Sequence, residues 1–451
     1  MIKKSYFADQ TKIILPLVII LFLYLLDSTS RERFLSRQSS IAITNASRIS
    51  LLILIFTFLM IIIYMCVPVI QNFRNFDTLN TFYLSSYVLF VLTPILIDKL
   101  FALSTFEYLN KMFRVSFIKP IFADLNTILT GIGCNSVNFI GDQITCDTQN
   151  DVLWNYPTIL LKFRAFDIDS KLTFFLGYSF ALLFIAALML LKNLNAVQKI
   201  SLAFMSFSPP LFLVVNRGNF DLLILICLAL AGYLLNNNYR FSLEMSYALI
   251  LFASMLKFYA IFALPMILVF NRKKKSVLYL TVFSLIFVLI SFQDLRFLNR
   301  FVGKDMSGSF GFPVLISHLN GDPTSQLDLF NPGTFVILLL FGYYMYILRS
   351  RINSEMMDNY HNFVFLILSF TFFMTWFLAS NYYYRLILLF FVIPFYFHRK
   401  STSIENVIGI ISLLTFYLSF RTFGIIMNIF IIPVLAFNML VLHNSWKRVM
   451  K

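Results

Sequence analysis

The chain has 451 residues, of which 59% are hydrophobic and only 13% charged, with a formal net charge of +15. A water-soluble domain carries about twice that charged fraction, and 55 phenylalanines exceed what a water-facing fold can hide. Composition therefore excludes a soluble enzyme and points to an all-α, polytopic helical membrane protein surrounded by membrane lipids. Its positive charge reports orientation rather than a nucleic-acid footprint.

The predicted elements follow in chain order. Residues 12–26 are apolar but short, and no small-residue cleavage site of a signal peptide follows them. Windows free of Asp, Glu, Lys and Arg come at 51–67 and 81–97. A large polar stretch over 101–171 precedes further windows at 172–191, 201–215 and 222–236. Residues 245–270 are long enough for one span, but Lys257 interrupts their centre. After the window at 276–292 comes a second polar stretch, 293–333, and then windows at 329–348, 359–380, 386–397, 406–420 and 422–442. The pattern predicts one integral membrane domain over 1–451, with residues 1–100 as extra N-terminal segments. About 11–13 helices would cross the membrane.

Basic loops set the orientation. The run Asn271-Arg272-Lys273-Lys274-Lys275 is the strongest cytoplasmic marker, and Arg349, Arg351, Arg399, Lys400, Lys447 and Arg448 also fall inside. Residues 293–333 and the turn before Arg385 are then external. If 245–270 formed one helix, the stretch 101–171 would be cytoplasmic. If it forms two short halves meeting near Lys257, that stretch is external, and Lys257 reaches an external cavity. The broken hairpin is the preferred reading, with a snorkelling lysine as the alternative. The arginines at 31, 33, 37 and 48 conflict with simple counting, so the N-terminal topology stays open.

Cys134 and Cys146 lie in the first external loop, where a thiol pair reads as a disulfide worth about 3 kcal/mol. Cys66 and Cys227 sit in apolar spans as packing residues. Neither CxxC nor HExxH occurs, so no metal or other cofactor is expected.

The strings "IFADLNTI", "CD", "NYP", "RGNFDLL", "LKFYAIFALP" and "YYYRLILLFF" occur in this order from about Phe122 to about Pro394. Together they resemble glycosyltransferase family 87, within the GT-C class of polyprenyl-phosphate-sugar-dependent enzymes. The resemblance implies a GT-C-like bundle whose external loops form the active site. It also implies transfer of a hexose (mannose-like) or pentose to a lipid or glycan acceptor at the external face of the cell's inner membrane.

On this resemblance Asp124 is the general base, because an alcohol is a poor nucleophile until a carboxylate accepts its proton. The departing lipid phosphate needs cations, for which Arg217, Lys257 and Arg385 are the candidates. Asn219, Asp221, Asp147, Tyr156, Tyr259 and His318 are candidate substrate-binding residues.

Blander readings stand beside these. Asp221 fits a helix N-cap, with Gly218 and Asn219 as turn residues. Asp167 and Asp169 of "FDID" fit helix-cap acids better than a metal motif. Tyr156 and Pro157 fit a shaped loop, His318 a surface histidine, and Arg385 a snorkelling belt residue. A flippase for lipid-linked glycans and an O-antigen-type polymerase are the competing functions. The first lacks the two similar halves common in transporters, and the second lacks the motif order.

Overall fold

A computed structural model describes residues 122–133, 137–140, 143–146, 152–153, 156–166, 169–188, 191, 194–206, 208–237, 241–270, 274–295, 309–320, 332–349, 352, 362–378, 381–398, 401–417 and 424–450. The expected segments at 12–26, 51–67 and 81–97 lie outside the described residues, as do Cys66, Cys134, Asp147 and Asp167.

The architecture is that of a helical membrane protein. Helices Ser170–Leu188, Phe220–Asn237 and Lys275–Phe292 are long and apolar enough to cross a membrane, and several apolar helices of 10–17 residues accompany them. Strands are confined to short pieces. β1 (Val137–Ile140), β2 (Gln143–Cys146) and β3 (Val152–Leu153) form an antiparallel meander in the first loop. Cys146 closes β2, and no disulfide occurs among the described residues.

The described part of the first loop opens with α1 (Ala123–Ile132) and leaves the meander through a 3-10 segment, Thr158–Phe166. A 3-10 turn, Ser170–Leu172, leads into helix α2 (Thr173–Leu188), and it is capped by Asp169, whose carboxylate accepts from the Lys171 amide at 2.9 Å. Asp169 is thus a cap, as its position suggested. The window expected over 201–215 is split into α3 (Ala196–Ser206) and α4 (Pro209–Arg217). The Pro209-Pro210 pair forces Ser208 into an extended conformation (φ −85°, ψ 147°), which ends one helix before the next begins.

Helix α5 (Phe220–Asn237) runs away from Arg217, and α6 (Ser242–Leu256) returns beside it, with Ser246 Oγ donating to the Ala231 carbonyl at 2.9 Å. At Lys257 the backbone becomes extended (φ −152°, ψ 131°), then descends as a 3-10 segment, Phe258–Ala263, and as α7 (Leu264–Phe270). Helix α8 (Lys274–Leu295) rises parallel to α6: Tyr247 Oη donates to the Ser276 carbonyl at 3.0 Å, and Tyr279 Oη to Glu244 at 2.9 Å. The stretch 245–270 is therefore a hairpin broken at Lys257. Lys257 lies at one end of the bundle, and Lys274 at the other.

After β4 (Ser309–Phe310) come α9 (Phe312–Asn320) and α10 (Pro332–Arg349). Helix α11 (Phe363–Leu378) starts beside the far end of α5, where Asn236 Nδ2 donates to Asn362 Oδ1 at 2.9 Å. A Cβ on Gly232 would lie 2.6 Å from the Val364 backbone, so only glycine lets α5 and α11 approach this closely. Helix α11 climbs to β5 (Asn381–Tyr382), which pairs antiparallel with β4.

The chain then descends as the 3-10 segment Tyr383–Leu389 and the short α12 (Ile393–Tyr396), where composition alone predicted a single helix over 386–397. A 3-10 turn rises about 2.0 Å per residue against 1.5 Å in an α-helix, so a short window still covers depth. Apolar residues on every face carry no periodicity that distinguishes the two.

Helices α13 (Ser403–Tyr417) and α14 (Gly424–Met450) close the bundle. Thr402 and Glu405 form a reciprocal capping box at the start of α13, and His398 Nε2 lies 2.9 Å from Glu405. The core is continuous and aromatic, with Phe122, Phe184, Tyr247, Phe365, Trp376 and Tyr396 fully buried.

Candidate active site

The site gathers at the bundle end that carries Lys257. Its first element is a strained corner. Phe122 precedes α1 in the left-handed region (φ 62°, ψ 34°), where a side chain costs about 1–2 kcal/mol. Its amide donates to the Asn216 carbonyl at 2.6 Å, and its ring is fully buried edge-on to Tyr178. Gly218 (φ 61°) ends α4 opposite it, and a Cβ there would lie 3.1 Å from Phe122 and Leu125. This interlock brings Asp124, in the first turn of α1, against Arg217 and Asn219.

Arg217 Nε donates to Asp124 Oδ1 at 2.8 Å, and Nη2 lies 2.6 Å from the same oxygen. Asn219 Nδ2 donates to Asp124 Oδ2 at 2.7 Å. Asn219 Oδ1 accepts from the Asp221 amide at 3.0 Å and from Lys257 Nζ at 2.8 Å. Asn219 therefore caps α5 and bridges the Asp124 carboxylate to Lys257. The cap expected of Asp221 belongs to Asn219, because the Asp221 carboxylate turns inward instead.

Asp221, fully buried, accepts from Lys257 Nζ at 2.9 Å and from the Tyr259 hydroxyl. Arg385 Nε lies 3.8 Å from Asp221 Oδ2, and its guanidinium stacks over the Tyr259 ring at 4.9 Å. Lys257 Nζ also stands 5.8 Å from the centre of the Tyr156 ring, which meets Phe220 edge-on. Burial, and then the Asp124 and Asp221 carboxylates, push the Tyr156 phenol up, so it remains a hydroxyl.

Among the described residues two carboxylates face three cations here, Arg217, Lys257 and Arg385, which leaves one formal positive charge among them. Ion pairs this buried hold together only when each member is matched and hydrogen-bonded. The arrangement is suited to an anion of low charge brought against Asp124. The 3-10 segments Thr158–Phe166, Phe258–Ala263 and Tyr383–Leu389 adjoin this place, following Tyr156 and Lys257 and carrying Arg385.

Of the residues singled out in the sequence, Asp124, Tyr156, Arg217, Asn219, Asp221, Lys257, Tyr259 and Arg385 come together. Asp147 lies outside the described residues, and His318 lies on α9, without a described side chain. The bridging role of Asn219 was not legible, since Asn-x-Asp before an apolar run reads as a turn and cap. Among the described residues no three His, Cys, Asp or Glu side chains come together as a metal site.

No curated protein and no solved structure matches the chain. Residues 158–295 match glycosyltransferase family 87. That segment contributes Arg217, Asn219, Asp221, Lys257 and Tyr259, while Asp124, Tyr156 and Arg385 lie outside it. The resemblance seen in the sequence thus has a family-model match over the middle of the chain, residues 158–295.

Proposed function

We propose that the chain transfers a hexose or pentose from a polyprenyl-phosphate-sugar to a lipid or glycan acceptor, on the extracytoplasmic side of the cell's inner membrane. The observation that carries this reading is the set of three cations around two carboxylates, with one positive charge in excess among the described residues. A polyprenyl-phosphate-sugar bears one negative charge at its phosphodiester, which that excess offsets. A diphosphate or nucleotide donor would bring more charge than the site balances.

In the proposed step the acceptor hydroxyl attacks the anomeric carbon and gives its proton to Asp124 Oδ2. One lone pair of that oxygen is engaged by Asn219, which leaves the other for the proton. The bond from the anomeric carbon to the phosphate oxygen breaks, and its electron pair leaves on the lipid phosphate. Arg217, Lys257 and Arg385 offset the charge that develops there. No metal or other cofactor enters the step.

Location and orientation rest on the same frame. Asp124 and Lys257 share one end of the bundle, and Lys274, within the most basic loop, lies at the other. Under the positive-inside rule this supports a multi-pass protein with an external site. A flippase would also use buried cations, but it has no need for a carboxylate held beside them. An O-antigen-type polymerase gains no support from this geometry.

Incubating the purified chain with radiolabelled polyprenyl-phosphate-mannose and with the pentose analogue, in membranes supplying acceptors, tests the reading. Label should move from the donor to a new product without added divalent metal. Hydrolysis without transfer, or strict preference for a nucleotide sugar, would contradict it.

A further inference from the structure

Asp294 is a buried carboxylate that the proposed step does not use. It is 3% exposed and lies in the last turn of α8 (Lys274–Leu295). Both facts work against a carboxylate. Burial penalises its charge, and the C-terminal end of a helix is already negative. An acid persists in such a place only when strong donors hold it.

Two of those donors come from one distant residue. The Thr158 amide and the Thr158 hydroxyl each donate to Asp294 Oδ2 at 3.0 Å. Thr158 opens the 3-10 segment that leads out of the first loop, with the Leu160 amide closing back on the Pro157 carbonyl at 3.1 Å. Pro157 has a fixed φ, so an anchored Thr158 also fixes the residue before the proline. That residue is Tyr156, whose ring stands 5.8 Å from Lys257 Nζ and meets Phe220 edge-on.

We propose that Asp294 is a positioning residue which, by anchoring Thr158, holds the Tyr156 ring across the cations that receive the donor phosphate. This rests on the donor reading above. It adds that the exit of α8 sets the geometry of donor binding without touching the donor. Helix α8 is the least buried of the three helices long and apolar enough to cross a membrane, with Val277, Leu285, Leu289 and Phe292 each more than half exposed. The clasp joins this outer helix to the interior of the site.

Two arms test it in the full chain. In the first, 3-fluorotyrosine is placed at position 156 and its 19F resonance recorded. The unaltered chain should give one narrow line, Asp294→Ala a broadened or shifted one, and Asp294→Asn, which still accepts from Thr158, a line close to the original. In the second, donor KM and kcat are compared. Asp294→Ala should raise donor KM about tenfold with a smaller change in kcat, and should add little in a Tyr156→Ala background.

Should Asp294→Ala not fold, Thr158→Val removes one of the two donors and should give the same changes at smaller amplitude. An unchanged 19F line in either variant overturns the proposal, as do fully additive kinetic effects of Asp294→Ala and Tyr156→Ala. The 19F arm needs no substrate, so it decides the clasp even if the donor reading fails.

Discussion

Arg217 meets Asp124 through one carboxylate oxygen: Nε and Nη2 lie 2.8 and 2.6 Å from Oδ1, while Oδ2 faces Asn219. The side-on grip orients the carboxylate and leaves Oδ2 partly open. A lysine in place of Arg217 would keep the charge but lose the planar two-nitrogen contact. Arg217→Lys is therefore expected to retain donor binding and lose about tenfold in kcat, and Arg217→Ala about a hundredfold in kcat/KM. Steady-state kinetics on folded, purified variants checks both. Equal activity of Arg217→Lys and the unaltered chain would show that orientation by the guanidinium is unimportant.

Lys257 and Asp221 are coupled inside the bundle, with side-chain exposures of 11% and 0%. Removing only the lysine leaves a buried carboxylate with less compensation, a loss of about 3–5 kcal/mol. Lys257→Met should thus lower the thermal midpoint strongly, and the double variant Lys257→Met/Asp221→Asn should recover part of the loss. A thermal unfolding cycle over the four proteins measures the coupling. Strict additivity would mean that the pair contributes nothing through its mutual contact.

Gly218 takes φ 61° and faces Phe122, itself at φ 62°. A methyl group there meets Phe122 and Leu125 at 3.1 Å, in a backbone region that already disfavours a side chain. Gly218→Ala is expected to destabilise by about 1–2 kcal/mol. It should also reduce transfer beyond what stability explains, because Arg217 and Asp124 flank the interlock. Thermal unfolding together with activity at low temperature separates the two effects, and full activity of the folded variant would argue against the interlock placing the site.

Orientation has its own readout. In intact cells, a cysteine replacing Lys171, which is exposed and near the site end of the bundle, should react with an impermeant maleimide. One replacing Lys274 should react only after permeabilisation. The reverse pattern would put the site in the cytoplasm.

Much of this was legible in the sequence, and for identifiable reasons. Lys257 stands out because a charge at the centre of an apolar run must break the span or reach water, and the basic run at 271–275 favours the break. The observed hairpin, held by Tyr247 on Ser276, has that form. Asp124, Arg217 and Arg385 stand out as ionisable groups beside membrane windows.

The connections among them were not legible. Nothing local distinguishes an Asn219 that caps a helix from one that also bridges Asp124 to Lys257, since those partners lie 95 and 38 positions away. Asp294 read as part of the second polar stretch because its partner, Thr158, is 136 positions away. The division of 386–397 into a 3-10 segment and a short helix left no trace in a run apolar on every side.

Asp124 is proposed to accept the acceptor's proton, and Asp124→Asn removes that capacity alone. Asparagine keeps the size of the side chain, and its Oδ1 still accepts from Arg217, but it takes no proton from the acceptor. Transfer is measured on the purified variant, after binding of polyprenyl phosphate has been confirmed by its shift of the thermal midpoint. The predicted result is intact lipid-phosphate binding with a loss of transfer of about a hundred- to ten-thousandfold. Near-normal transfer by Asp124→Asn would contradict the assignment.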